Sequence, residues 1–204
     1  MRLIGMMDSP YVRRVAVSLK FMGLPVEHDQ ISVFRHFDAF AAINPVVKAP
    51  TLVTDDGTVL MDSTLILEYA ERLAPAARRL TPDDSAGFLR AQRILGVALA
   101  ACDKAVQLYY ERTLRPAEKQ HAPWMDRVRG QMGASFQLLE NEVRGAARWL
   151  TGVRPMQADV TAAVVWRFTR HVLPGDVPEA DYPGLTALSA RAEALPEFTA
   201  CPLE

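Results

Sequence analysis

The alternation of hydrophobic and polar positions separates an N-terminal stretch with strand and helix patterns from a C-terminal stretch with helix patterns alone. Residues 3–7 and 26–33 are short apolar or alternating runs, which predict two strands. Between them, apolar residues recur at helical spacing after Ser9-Pro10, a favoured cap and first helical residue, and stop at Gly23. The pattern predicts a strand–helix–strand unit at the start of the chain.

A hairpin and a helix are predicted to complete this first stretch. The order β-α-β-α-β-β-α is typical of a thioredoxin-like domain, which we assign to residues 1–74. The further predicted elements are a short helical or irregular segment at 34–43, strands at 50–53 and 59–61, the turn Asp55-Asp56-Gly57 between them, and a helix from Asp62-Ser63 to about Leu73.

Residues 85–204 are predicted to form an all-helical domain that follows a linker over residues 75–84. Thr81 is predicted as the cap of a long helix that runs to about Arg115, where a proline follows. Further helical patterns cover residues 124–149, 158–172 and 184–195. The predicted fold class is an α/β N-terminal thioredoxin-like domain plus an all-α C-terminal helical domain.

Composition then narrows the function classes. The formal net charge of the 204 residues is −1, so no overall field attracts nucleic acid or anionic lipid. No apolar run approaches the ~20 residues that a membrane helix needs. The four histidines lack metal-ligand spacing, so no metal is expected. The two cysteines, Cys102 and Cys201, are far apart, which predicts a reducing, cytoplasmic environment without a disulfide framework.

Ser9 is the first residue whose position suggests chemistry. It lies where a predicted strand passes into the N-terminus of a helix, an end that carries partial positive charge and free N–H groups. A thiol bound there would ionise more easily than in water, and the serine hydroxyl could donate a hydrogen bond to the thiolate. Taken alone, capping of the helix is the simpler interpretation of Ser9.

The segment before the predicted hairpin offers a second candidate. If the peptide bond between Ala49 and Pro50 is cis, the backbone of Ala49 is exposed and an extended peptide ligand could pair with it. Lys48 lies beside it and suits a carboxylate. A proline that merely begins an edge strand, next to a solvated lysine, explains the same residues, so both interpretations remain open.

Two further helix starts carry polar residues. Asp62 suits an ammonium group, while Ser63 and the helix N-terminus suit a carboxylate, so together they suit an α-amino acid head group. Simple capping is the alternative for both residues. Asp159 follows the presumed cap Met156 by three positions and supplies half of a capping box, which is a structural role.

In order and spacing, these motifs resemble the cytosolic glutathione transferases over essentially the whole chain. The motifs are SPYVRR at 9–14, which resembles the first helix of serine-type bacterial members; NPVVKAP at 44–50, which resembles the segment with the family's cis-proline; DST at 62–64, which resembles the acidic–serine pair; and QAD at 157–159, which resembles the buried capping segment.

The resemblance implies a division of roles at the thiol and γ-glutamyl ends of glutathione. Ser9 would be the catalytic residue that hydrogen-bonds the sulfur, and Asp62 with Ser63 would hold the γ-glutamyl group. Tyr11 is interpreted as a packing residue, because members that activate the thiol with tyrosine place it differently relative to the first strand.

The resemblance also implies how the rest of glutathione is held. Ala49, next to Pro50, would pair with the cysteinyl backbone, and Lys48, together with His36, would hold the glycyl carboxylate. Glutathione would be a co-substrate and no metal would be needed.

The activity implied by the resemblance is attack of the glutathione thiolate on a small hydrophobic electrophile, as in detoxification, by a homodimer. Helical spacing suggests an electrophile pocket formed by Met7, Cys102, Val106, Tyr109 and Tyr110. Another glutathione-dependent reaction, such as isomerisation or dehalogenation, and a non-catalytic binding or regulatory role remain as alternatives. A thiol–disulfide oxidoreductase would need a cysteine near position 9, and there is none.

Overall fold

A computed structural model describes residues 1–203 and divides them into two compact units. The first comprises Met1–Thr81 together with the residues from Ala194 onward, and the second comprises Pro82–Glu193. The first unit contains a four-stranded sheet with helices, and the second contains helices only. The predicted fold class is therefore confirmed.

Four short strands form the sheet of the first unit, in the order β2-β1-β3-β4. Strand β1 is parallel to β2 and antiparallel to β3, and β4 is antiparallel to β3. The strands are β1 (Arg2–Ile4), β2 (Glu27–Asp29), β3 (Thr51–Val53) and β4 (Val59–Met61). The first two are shorter than predicted, because the chain turns at Gly5, with φ of 140°, and at Ile31, whose N–H donates to the Asp29 carbonyl.

Helices α1 (Pro10–Met22), α2 (Phe37–Ile43) and α3 (Ser63–Leu73) complete the N-terminal part of this unit. Helix α1 begins after Ser9 and ends at Gly23, which adopts φ of 70°, as the sequence predicted. Helix α3 packs against α1, and the apolar residues of both helices and of β1 form the buried core.

The second unit contains α4 (Ser85–Thr113), α5 (Ala122–Arg144), α6 (Gln157–Val172) and α7 (Pro183–Glu193). The predicted cap of α4 was Thr81, but the cap is Asp84, whose carboxylate accepts from the Gly87 N–H at 2.8 Å. The hydroxyl of Thr81 instead donates to Glu71 Oε1 at 3.1 Å. Helix α5 ends before Gly145, earlier than the predicted residue 149.

The helical domain was predicted to extend to residue 204, and the structure differs after Glu193. The short helix α8 (Pro196–Thr199) packs on α1, so the residues from Ala194 onward group with the first unit. Within the described residues, no helix combines the length and the apolar character needed to cross a membrane.

Buried polar groups fix the helices of the second unit. Asp159 is fully buried and accepts from the N–H groups of Met156, at 3.0 Å, and Leu150, at 2.7 Å. The first of these bonds is the half capping box that the sequence predicted. Burial raises the pKa of Asp159, and the two backbone hydrogen bonds only partly oppose this.

Asp176 joins α4 and α5 through two arginines. Its carboxylate accepts two hydrogen bonds from Arg112, at 2.6 and 2.9 Å, and one from Arg129 Nε, at 2.9 Å. Burial acts to raise the pKa of Asp176, but the hydrogen bonds and charges of the two arginines outweigh it, and the pKa is lowered. The cluster thus stabilises the fold only while the carboxylate is ionised.

We expect Asp176→Asn to lower the free energy of unfolding at pH 7 by about 1–3 kcal/mol, because it removes the charge that both arginines bond. A lowered folded pKa gives stability that is present above the unfolded value of 3.8 and is lost as the pH falls through the folded value. The difference in free energy of unfolding between the variant and wild type should therefore shrink as the pH falls below 3.8. Urea unfolding between pH 3 and 7 measures it, with the exposed Asp83→Asn as control; a pH-independent difference would contradict the prediction.

Candidate functional site

The register of the sheet brings the three predicted motifs to one edge. Ile4, the last residue of β1, pairs with Asp29 on one side and Thr51 on the other, and Thr51 also pairs with Met61. The segment that follows β1, the segment that precedes β3 and the segment that follows β4 therefore all start from the same edge. These segments carry Ser9, Ala49-Pro50 and Asp62-Ser63 respectively.

Gly5 allows this edge to pack closely. A Cβ atom at Gly5 would lie 2.5 Å from Cγ2 of Val12 and 3.2 Å from Cβ of Ala49. Val12 in the first turn of α1 and Ala49 thus both occupy space that any side chain at position 5 would need. Sequence analysis missed Gly5; the indication was a glycine inside the strand predicted at 3–7, since such a glycine often marks a bend or a close backbone approach.

Ser9 is half-buried and caps α1. Its Oγ lies 3.4 Å from the Val12 N–H, which is long for a hydrogen bond, so the cap is weak. The hydroxyl proton is not used in accepting this bond and remains able to be donated to a ligand. Tyr11 is half-buried on the same turn.

The segment that carries Lys48 and Ala49 is held by a buried amide. The Asn44 side chain donates to Thr51 Oγ1 at 2.8 Å and accepts from the Val46 N–H at 3.1 Å. Thr51 Oγ1 in turn donates to the Lys48 carbonyl at 2.8 Å. The Ala49–Pro50 peptide bond is cis, Ala49 is half-buried, and the Lys48 side chain is exposed.

At the start of α3, Ser63 is buried next to a buried arginine. Ser63 Oγ accepts a 2.9 Å hydrogen bond from Arg14 Nη1, which also lies 3.3 Å from Thr64 Oγ1. Asp62 adopts φ of 73°, and its Oδ1 accepts from the Thr64 N–H at 2.9 Å. Because Ser63 accepts from Arg14, its own proton is left to be donated to a ligand.

Arg14 is a candidate functional residue that sequence analysis did not identify. Only 1% of it is exposed. Its guanidinium joins the start of α3 to α1 and places a positive charge beside Ser63. The indication in the sequence was a charged pair within an otherwise apolar helical repeat.

His36 is placed differently from the other predicted residues. It is exposed at the N-terminus of α2, and its Nδ1 accepts from the Ser32 N–H at 3.2 Å. This bond ties the imidazole to its own loop rather than to the Lys48 segment.

The predicted electrophile-pocket residues belong to separate units. Met7 is buried in the first unit, and Cys102, Val106, Tyr109 and Tyr110 lie on α4 of the second. Cys102 is 1% exposed and contributes to the core of its unit. Tyr110 lines a groove of about 490 Å³ at the end of α4; Leu114, Arg115, Lys119 and Trp124 also line it.

No group of His, Cys, Asp and Glu side chains within residues 1–203 could hold a metal ion. The sheet edge offers hydrogen-bond donors, a helix N-terminus, a lysine and a carboxylate. Such a set suits a zwitterionic peptide ligand with an ionisable group near Ser9.

Comparison with known proteins gives two family matches and several similar proteins. Residues 3–78 match the family described as "Glutathione S-transferase, N-terminal domain", and residues 122–191 match "Glutathione S-transferase, C-terminal domain".

Similar proteins span most of the chain. The "Uncharacterized GST-like protein YibF" of Escherichia coli K12 is 29% identical over 86% of both chains. A maleylacetoacetate isomerase of Pseudomonas aeruginosa is 33% identical over 74% of this chain and 72% of its own. The crystal structure of a glutathione S-transferase from Methylobacterium radiotolerans, in complex with glutathione sulfonate, has a TM-score of 0.90 at 30% identity and covers 98% of this chain and 93% of that one.

We expect Gly5→Ala to lower the free energy of unfolding by about 2–4 kcal/mol, because the new methyl group meets Val12 and Ala49 and φ is positive. Gly57→Ala is the matched control, since φ is 86° there and nothing lies within 4 Å of the added atom. It should cost only about 1–2 kcal/mol of backbone strain. Equal losses in urea unfolding would show that close packing at Gly5 is unimportant.

Proposed function

The chain belongs to the glutathione S-transferase family, and we propose that it binds reduced glutathione and activates the thiol for attack on a small hydrophobic electrophile. The observation that carries this proposal is the sheet register, which starts the Ser9, Ala49-Pro50 and Asp62-Ser63 segments from a single edge. A tripeptide with a thiol in its middle residue needs polar partners at both ends and beside the thiol, and these three segments supply them.

Three segments would hold glutathione. The γ-glutamyl head group suits Asp62 and Ser63, because Ser63 keeps a proton to donate and Arg14 adds positive charge beside it. The cysteinyl backbone would pair with Ala49, whose segment is held by the buried amide of Asn44. The glycyl carboxylate suits the exposed ammonium of Lys48. His36 could reach that carboxylate only through Nε2, because its Nδ1 accepts from the Ser32 N–H.

Ser9 would supply the thiol activation. A free thiol has a pKa of about 8.5, so only a few per cent is ionised at neutral pH, and lowering this by two units takes about 2.7 kcal/mol. A hydrogen bond to an anion supplies about 1.5–3 kcal/mol and a helix N-terminus about 0.3–1 kcal/mol. Together the Ser9 hydroxyl and the start of α1 supply about 1.8–4 kcal/mol, a range that includes the required 2.7 kcal/mol.

In the proposed reaction the thiol proton is released to water and the thiolate sulfur forms a bond to the electrophilic carbon. The leaving group departs with the electron pair of the bond that breaks. An apolar pocket that includes residues of α4 would hold the electrophile, with Tyr110 as the member that lines an open groove.

Isomerisation is a second candidate, because one similar protein is a maleylacetoacetate isomerase. Conjugation consumes the thiol, whereas isomerisation returns it unchanged. The thiol concentration, followed while a cis-unsaturated acid is converted, therefore distinguishes the two reactions.

We also propose that the chain forms a homodimer in the cytoplasm. Large apolar side chains are exposed on β4 and α3 of the first unit; they are Val59, Met61, Leu65, Tyr69 and Leu73. An apolar surface of this extent favours burial against another chain.

Calorimetry with reduced glutathione and a rate assay with an activated aryl chloride test the proposed function. Binding and product formation are both expected. S-methylglutathione is the matched control ligand: it offers the same backbone but no ionisable thiol, so it should bind and give no product. Absence of binding at millimolar glutathione would refute the proposal, and binding without any turnover would favour a non-catalytic role.

Ser9→Ala should raise the pKa of bound glutathione by roughly one to two units, because one hydrogen bond to the thiolate is lost while the helix N-terminus remains. Thiolate absorbance against pH measures this shift. Loss of the weak cap should cost about 0.5–1 kcal/mol of stability, which thermal unfolding of the ligand-free protein reports separately. A variant that loses stability but titrates like wild type would reduce Ser9 to a cap.

A further inference from the structure

The residues after α7 return to the first unit and cover part of α1. Phe198 of α8 is 1% exposed, and its ring meets that of Phe21 edge-on, with 6.2 Å between centroids. Cys201, a few residues further on, is 2% exposed. We call residues 194–203 the C-terminal strap.

Arg13 links this strap to α1. Its side chain is 1% exposed, its Nε donates to the Cys201 carbonyl at 2.8 Å, and its guanidinium carbon lies 5.6 Å from the centre of the Phe198 ring. An arginine keeps its charge when buried, so it is stable there only with hydrogen bonds and favourable ring contacts. The carbonyl and the ring of the strap supply both.

Arg13 also closes the first turn of α1. Its backbone N–H donates to the Ser9 carbonyl at 2.9 Å, which is the first hydrogen bond of the helix. Helix ends fray unless their groups are held, and the side-chain cap from Ser9 Oγ to the Val12 N–H is long, at 3.4 Å. Arg13 therefore takes part in the first turn of α1 through its backbone and in the contact with the strap through its side chain.

We propose that Arg13 is a positioning residue through which the C-terminal strap fixes the first turn of α1, and with it the direction of the Ser9 hydroxyl toward the bound thiol. This inference rests on the proposed function. The two arginines act on the site differently. Arg14 donates a hydrogen bond to the Ser63 hydroxyl, whereas Arg13 acts on Ser9 through the backbone hydrogen bond to the Ser9 carbonyl. A weakly capped Ser9 is free to serve the ligand because a different contact keeps the helix end in place.

The test compares Arg13→Met and Phe198→Ala with Met22→Ala as a matched control. Met22 is fully buried at the opposite end of α1, so its loss should lower stability without reaching the first turn. In Arg13→Met and Phe198→Ala, which we call the two strap-contact variants, the pKa of the bound glutathione thiol should rise by about half a unit. The affinity for glutathione should fall roughly two- to fivefold, the range expected for a displaced helix N-terminus. The control should keep the wild-type pKa.

Amide hydrogen exchange of Val12 and Arg13 in the ligand-free protein gives a readout that needs no glutathione. Arg13→Met and Phe198→Ala should each speed this exchange. The double variant Arg13→Met/Phe198→Ala should exchange little faster than either single variant, because the two residues form one contact. Arg13→Lys keeps the charge but loses the planar guanidinium and its Nε donor, so it should fall between wild type and Arg13→Met.

The outcomes separate this inference from the proposed function. If wild type binds glutathione with a lowered thiol pKa and the two strap-contact variants shift that pKa no more than Met22→Ala does, the positioning role is overturned. If wild type binds no glutathione, the proposed function fails and the positioning role fails with it. If Arg13→Met does not fold, Phe198→Leu removes the ring from the guanidinium at similar volume, and an unchanged pKa in that variant overturns the inference equally.

Discussion

The pairing of Ile4 with Thr51 is the contact on which the candidate site depends. Side chains alternate between the faces of a strand, so a shift of one residue in this pairing would reverse the face of every β3 side chain. It would also move Ala49 away from Gly5, which leaves room for Ala49 because it has no side chain. The positions of the three motifs are therefore set by a three-residue ladder rather than by the loops that carry them.

Two consecutive arginines on α1 are buried in different directions. Arg14 bonds Ser63 at the start of α3, and Arg13 bonds the Cys201 carbonyl of the strap. Placing two cations near a helix N-terminus is unfavourable unless an anion is present to share the field. A carboxylate bound beside Ser63, as proposed above, would supply such an anion next to Arg14.

Local chemistry explains why part of the structure could be predicted from the sequence. Ser9, Gly23 and the turn before β4 act within a few residues of themselves, and the elements they bound are where the sequence placed them. Thr81 shows the limit: its hydroxyl was expected to cap α4, but Glu71, ten residues away in sequence, captures it. Gly5 and Arg14 were missed for the same reason, since their importance lies in partners that only the fold brings near.

Because the strap belongs to the first unit, the two sides of its contact with α1 are synthesised at different times. Residues 82–193 are inserted between two parts of the first unit, so Arg13 is synthesised long before the Cys201 carbonyl that it bonds. At typical elongation rates of 5–20 residues per second, the interval is about 10–40 s. During that time the thioredoxin-like part of the nascent chain carries Arg13 while Cys201 has not yet been synthesised. Of the two units, the one whose synthesis begins earlier is thus completed later.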